Sequence, residues 1–151
     1  MKTRAFAALG IALFIVLPAR ADEANKTDKE KLQGIWTTTS GEMNGEKLDE
    51  ELVKSLQFVV KGDSFEVKGP EVVLNQYAKG KFKLDATTMP RTIDITVGAG
   101  SMKGDVVECI YEFDADTLKI CAKLVGKARP SDYTTKAGSN MVSLVLKREK
   151  P

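Results

Sequence analysis

Glu108-Cys109-Ile110-Tyr111-Glu112-Phe113-Asp114-Ala115-Asp116-Thr117-Leu118-Lys119-Ile120-Cys121-Ala122-Lys123 is two alternating arms around a tight Asp-Ala-Asp turn. If Phe113 pairs with Leu118, then Tyr111 meets Ile120, Cys109 meets Ala122, Glu112 meets Lys119 and Glu108 meets Lys123. Every apolar residue in that register finds an apolar partner, and both acids find a Lys. A slip by one residue would set Tyr111 against Lys119 and Glu112 against Leu118, mixing the core and solvent faces. The register turns Cys109 inward and Cys121 outward, a geometry no disulfide bridges without distortion. Two free thiols are therefore expected, although two cysteines in an exported chain would by default be read as a pair.

The same alternation recurs along the chain. Segments 35–40, 56–61, 64–68, 77–84, 92–97, 106–113, 117–123 and 141–147 are short, rich in β-branched and aromatic residues, and separated by Gly, Asp and Pro. They predict eight strands. Gly62-Asp63 joins two of them as a tight hairpin, with Phe58, Val60, Phe65 and Val67 in alternation. Between the first two segments, Leu48, Leu52, Val53 and Leu56 recur at helical spacing behind Asp49, which predicts one short helix capped by that Asp and no other. Consecutive antiparallel strands favour closure, because a barrel leaves no free edges. The fold class is all-β: an eight-stranded antiparallel meander closed into a barrel, with one short helix after the first strand. Strands of about seven residues, rising roughly 3.3 Å each and tilted near 40°, give a barrel only about 18 Å tall. Phe58, Phe65, Phe82, Tyr111 and Phe113 are at hand to fill it.

At the N-terminus, Lys2 and Arg4 precede an apolar run over residues 5–17, then Pro18 and the small-x-small triplet Ala19-Arg20-Ala21. That is the pattern of a signal peptide, residues 1–21, cleaved after Ala21. The run is shorter than the roughly 20 residues that span a bilayer, so no stable membrane insertion is expected after cleavage. The mature chain is expected in the periplasm or outside the cell. Residues 22–31 are charged and without periodicity, and read as a flexible leader to a domain over residues 32–149. Cleavage removes Lys2, Arg4 and Arg20 and no acid, so the 23 basic residues of the whole chain fall to 20 against 21 acids. A near-neutral chain with scattered Lys and Arg gives no support for nucleic-acid binding.

The chain contains no His, which removes the commonest general base, the commonest metal ligand and every His-dependent triad. Asp114 and Asp116 read as turn residues, because the further oxygens of a calcium loop are missing. Gly98-Ala99-Gly100-Ser101-Met102-Lys103-Gly104 lacks the Gly-Lys-Ser/Thr ending of a phosphate-binding loop and lies between strands, so it reads as a connection. No metal, no cofactor and no catalytic residue are expected. A carboxylate-dependent hydrolase stays open only if the fold brings an acid pair together.

Leu32-Gln33-Gly34-Ile35-Trp36, Asp114-Ala115-Asp116-Thr117-Leu118, Arg129-Pro130 with Tyr133, and Leu144-Val145-Leu146-Lys147-Arg148-Glu149 occur in that order. As a set, over about residues 32–149, they resemble a secreted lipocalin-like domain family abundant in planctomycete bacteria. The resemblance implies a lipocalin-like barrel and no particular activity. Gly34-x-Trp36 is also similar to the opening of lipocalins proper, in which the Trp closes one barrel end beneath a basic residue of the last strand. It implies structural roles for Gly34, Trp36 and either Lys147 or Arg148. The long C-terminal helix of lipocalins is missing, so their transport role does not carry over.

The longest connection, residues 125–139, carries Lys127, Arg129, Ser131, Asp132, Tyr133 and Lys136, and connections of this length are often functional. Two readings of the whole follow, with an unknown small molecule or protein as partner. One is a non-catalytic binding module for a small apolar ligand at the barrel mouth, with Tyr77, Tyr111, Arg129 and Tyr133 as candidate contacts. The other is a protein-interaction or inhibitor domain acting through residues 125–139.

Overall fold

The computed structural model describes residues 19–124 and 128–151. Residues 1–18 of the expected signal peptide lie outside the described residues. Helix α1 (Ala19–Leu32) leads into β1 (Gly34–Met43), the two-residue β2 (Glu46–Lys47) and helix α2 (Glu50–Ser55). Strands β3 (Gln57–Lys61) and β4 (Ser64–Lys68), helix α3 (Glu71–Tyr77), and strands β5 (Lys79–Asp85), β6 (Arg91–Val97), β7 (Val106–Asp114), β8 (Thr117–Lys123) and β9 (Met141–Arg148) follow.

All neighbouring strands are antiparallel, and β1 pairs with β3 on one side and β9 on the other, which closes β1 and β3–β9 into an eight-stranded barrel. The closing pairing runs from Trp36↔Arg148 to Met43↔Val142, with an irregularity between Thr38 and Ser40. In the β7–β8 hairpin Phe113 faces Leu118, Tyr111 faces Ile120, Glu112 faces Lys119 and Cys109 faces Ala122. The β3–β4 hairpin pairs Val60 with Phe65 and Phe58 with Val67 around Gly62-Asp63. Asp49 caps α2, its carboxylate accepting from the Leu52 amide at 2.9 Å. The alternation fills the barrel with one cluster containing Trp36, Val60, Phe82, Ile93, Tyr111 and Leu146.

Two segments depart from the sequence reading. Residues 22–31, expected as a flexible leader, belong to helix α1, which lies across one barrel end. Nothing in its own pattern predicts this, because α1 is polar nearly all round. It is held by long-range contacts instead. Leu32 is buried in the core, the Asn25 side chain accepts from the Ala86 amide at 2.7 Å, and Asp28 is buried against Tyr111 and Arg91. The second departure is α3, which makes three helices among the described residues where one was expected. Tyr77 is its last residue and not the start of a strand. Pro70 starts the helix with a backbone angle the ring already favours, and its carbonyl accepts from the Val73 and Leu74 amides.

Gly80 marks the tightest approach within the sheet. A Cβ there would lie 2.9 Å from the Phe65 ring and press on the Thr96 carbonyl across the strand pair. Gly80→Ala is therefore expected to cost about 1–3 kcal/mol through overpacking. A urea midpoint equal to that of the parent would refute it.

Candidate functional site

The barrel end beneath α1 is sealed by side chains. Trp36 is fully buried, and its indole nitrogen donates to the Leu32 carbonyl at 2.8 Å. The Arg148 guanidinium lies 4.4 Å from the Trp36 ring centroid and donates to the Gln33 carbonyl at 2.6 Å and to the Lys31 carbonyl. A helix C-terminus leaves unpaired carbonyls and partial negative charge. Arg148 and Trp36 satisfy those of Lys31 and Leu32, and Gln33 those of Lys29 and Glu30, while Lys147 is exposed one residue away. Gly34, at φ 112°, turns the chain from α1 into β1. Tyr111 donates to Asp28 at 2.9 Å, and Asp28 pairs with Arg91 at 3.2 Å.

The interior is filled. Trp36, Phe58, Phe65, Phe82 and Ile120 are among the side chains that surround a wholly apolar void of about 70 Å³. Ligand cavities run from roughly 300 to 1,000 Å³. The aromatic side chains therefore take the room that a lipocalin-type ligand would occupy.

A concavity larger than the interior void lies outside the barrel. Arg129 fixes the start of the β8–β9 connection, donating to the Cys109 carbonyl at 2.8 Å, to Asp94 at 2.6 Å and to Glu108 at 3.2 Å. Farther along, the Thr135 hydroxyl bonds Glu42 and accepts from the Gly45 amide at 3.1 Å, and the Asn140 amide donates to Asn44 at 2.7 Å. The connection is thus strapped back along the outer wall, where Ile110 and Cys121 are fully buried although their register points them outward. Between this strap, α2 and the β1–β2 turn runs a groove of about 470 Å³. Lys47, Lys54, Lys119, Glu42, Val53 and Tyr133 are among its lining residues.

Within the groove, the Lys119 ammonium lies 4.9 Å from the Tyr133 ring centroid, an attraction of about 0.5–1 kcal/mol at an exposed site. Burial raises the Tyr133 phenol above its ordinary pKa, and the charge of Glu112 adds to the shift. Its hydroxyl is shielded from solvent and has no hydrogen-bond partner among the described residues. Leaving such a group unpaired costs about 1–3 kcal/mol.

Both cysteines are free and buried. Burial pushes the Cys109 thiol up to about 12, against the opposing charge of Arg129, and the Cys121 thiol up to about 11. Unfolded thiols ionise near their ordinary values of about 8.5. Above that pH the unfolded chain therefore loses protons that the folded chain keeps, and stability falls as pH rises towards the folded values. The urea midpoint is expected to drop between about pH 8.5 and 11, and Cys109→Ala is expected to flatten that drop. Identical pH profiles for the two proteins would refute the assignment. A thiol reagent is expected to label neither cysteine in the native protein at neutral pH and both after denaturation.

The four candidate contacts do not converge. Tyr111 belongs to the sealed barrel end. Tyr77 sits on α3, its phenol raised by burial and by the charge of Asp105. Arg129 and Tyr133 share the strap, but Arg129 is spent on holding it, and Tyr133 alone reaches the groove. The sequence reading missed Glu42, Lys47, Lys54 and Lys119, because each looked like an ordinary solvated charge until the strap and α2 were placed beside it. The carboxyls of Asp85 and Glu149 are lowered by hydrogen bonds, from Thr87 and from Thr37 and Gln57, which is the reverse of the shift a general acid needs. Among the described residues no helix is long and apolar enough to cross a membrane. In comparisons with known proteins, no family model matches the chain, and neither a curated protein nor a solved structure matches it.

Proposed function

We propose that this protein is an exported, non-catalytic interaction domain, a filled barrel that engages a partner protein through the groove between α2, the β1–β2 turn and the strap around Tyr133. The observation that carries the reading is the groove itself, a concavity of about 470 Å³ with the Lys119–Tyr133 pair in its wall, outside a barrel whose interior is filled. The interior void of about 70 Å³ argues against the other reading, a small apolar ligand inside the barrel. Export is supported by the signal-like N-terminus, and the likeness to the secreted lipocalin-like family is consistent with it.

The test is native mass spectrometry of the protein purified from its own host. The parent is expected to carry a protein-sized adduct, and Tyr133→Ala and Lys119→Glu are expected to lose it while keeping their thermal midpoints. A retained apolar molecule of a few hundred daltons, released only on unfolding, would overturn the proposal and restore the barrel-ligand reading.

A further inference from the structure

Lysines scattered along the chain meet on one side of the barrel, away from the Tyr133 groove. In β5, Gly80 and Phe82 turn inward, and Lys79, Lys81 and Lys83 all point out and are exposed. Outward side chains on one strand repeat every two residues, about 6.6 Å apart, so this row spans about 13 Å. Helix α1 runs against the same strand, and between them lies a groove of about 380 Å³. Its polar lining is Asn25, Lys26, Lys29, Asp63, Lys81 and Lys83, over a floor of Phe82 and Leu84.

Four lysines thus face one carboxylate, and that carboxylate, Asp63, is already paired with Lys29. Among the described residues, Lys26, Lys81 and Lys83 form no ion pair. The acids nearest Lys83 are otherwise engaged. Asp94, opposite it across the strand pair, is held by Arg129, and Asp85 is bonded by Thr87. Positive charge gathered in a concave site on a near-neutral chain focuses the field and draws anions.

We propose that the α1–β5 groove binds a linear anionic polysaccharide, with Lys26 and Lys29 on one bank and Lys81 and Lys83 on the other. Lys79 extends the Lys81–Lys83 bank beyond the groove into a row of about 13 Å, whose cations cannot all close on a single phosphate but match a chain carrying charge at intervals. A single-stranded nucleic acid would need aromatic platforms for its bases, and the one ring in this groove, Phe82, is buried. An anionic bilayer would need apolar side chains at the rim, whereas Phe82 and Leu84 form the floor.

Titration of the full-length protein with heparin, with neutral dextran as the blank, tests the proposal. Heparin is expected to bind at low salt and to be released as salt rises, and dextran not to bind. Lys81→Glu with Lys83→Glu is expected to weaken binding about tenfold or more. Lys103→Glu with Lys136→Glu makes the same change in net charge at exposed sites elsewhere and is expected to leave binding nearly unchanged. Thermal midpoints of both double variants show whether they are folded. Failure to bind heparin at low salt, or equal weakening by the two pairs, would overturn the proposal. So would tighter binding to poly(U) or to phosphatidylglycerol vesicles than to heparin. None of these outcomes bears on the Tyr133 groove.

Discussion

Trp36→Ala is expected to destabilise the domain by about 3–5 kcal/mol, the range for truncating a large buried aromatic. The cost has three sources. The ring is fully buried and packs against Phe113, whose centroid is 6.1 Å away, so its removal opens a cavity at the barrel end. Its nitrogen pairs with the Leu32 carbonyl, an acceptor that the last turn of α1 cannot satisfy within the helix. Its face carries the Arg148 guanidinium, which in turn holds the Lys31 and Gln33 carbonyls. Trp36→Phe keeps most of the ring and forfeits the hydrogen bond, so a smaller loss, about 1–2 kcal/mol, is expected. Because Trp36 is the only tryptophan, the comparison is made by far-ultraviolet circular dichroism in urea. A loss under about 1 kcal/mol for Trp36→Ala would show that the barrel end relaxes around the gap and is not sealed by this residue.

What was legible in the sequence follows from the range over which each signal acts. The β7–β8 register could be read because both arms are adjacent in the chain and the slipped alternative puts Tyr111 opposite Lys119. The Asp49 cap could be read because its bond reaches only three residues, to Leu52. Helix α1 could not. Its fourteen residues are too short and too polar to declare a helix on their own, and what fixes them are partners far along the chain, Ala86, Arg91 and Tyr111. The outer groove was hidden for the same reason. Arg129 and Tyr133 stood out as unusual loop residues, but nothing local says that Arg129 would be consumed by Asp94 and Glu108, or that Tyr133 would come to rest beside Lys119. The β5 lysines were counted as scattered because the strand supplies only half of their groove, and the other half arrives with α1.

The long-range anchoring of α1 leads to the second large effect. Asp28 is only 3% exposed on a helix that is otherwise mostly solvated, and it takes both the Tyr111 hydroxyl and the Arg91 guanidinium. Burial, and then the bond to Asp28, raise the Tyr111 phenol well above its ordinary pKa, so the hydroxyl stays a donor in need of an acceptor. Asp28→Ala strands that buried donor and leaves Arg91 without its partner. Breaking a buried pair costs about 3–5 kcal/mol, but the Arg91 side chain is 39% exposed and can turn to water, so a loss of about 2–4 kcal/mol is expected. Asp28→Asn retains an acceptor for Tyr111 and should recover part of it. Tyr111→Phe removes the donor, and combining it with Asp28→Ala should cost less than the sum of the two singles, because they break the same bond. Hydrogen exchange separates local from global effects. The amides of α1 are expected to lose protection in Asp28→Ala before those of β7 and β8, since the helix has little apolar surface of its own to keep it docked. An Asp28→Ala protein with an unchanged urea midpoint and fully protected α1 amides would show that Leu32 and the Trp36–Arg148 contacts hold the helix without the buried carboxylate.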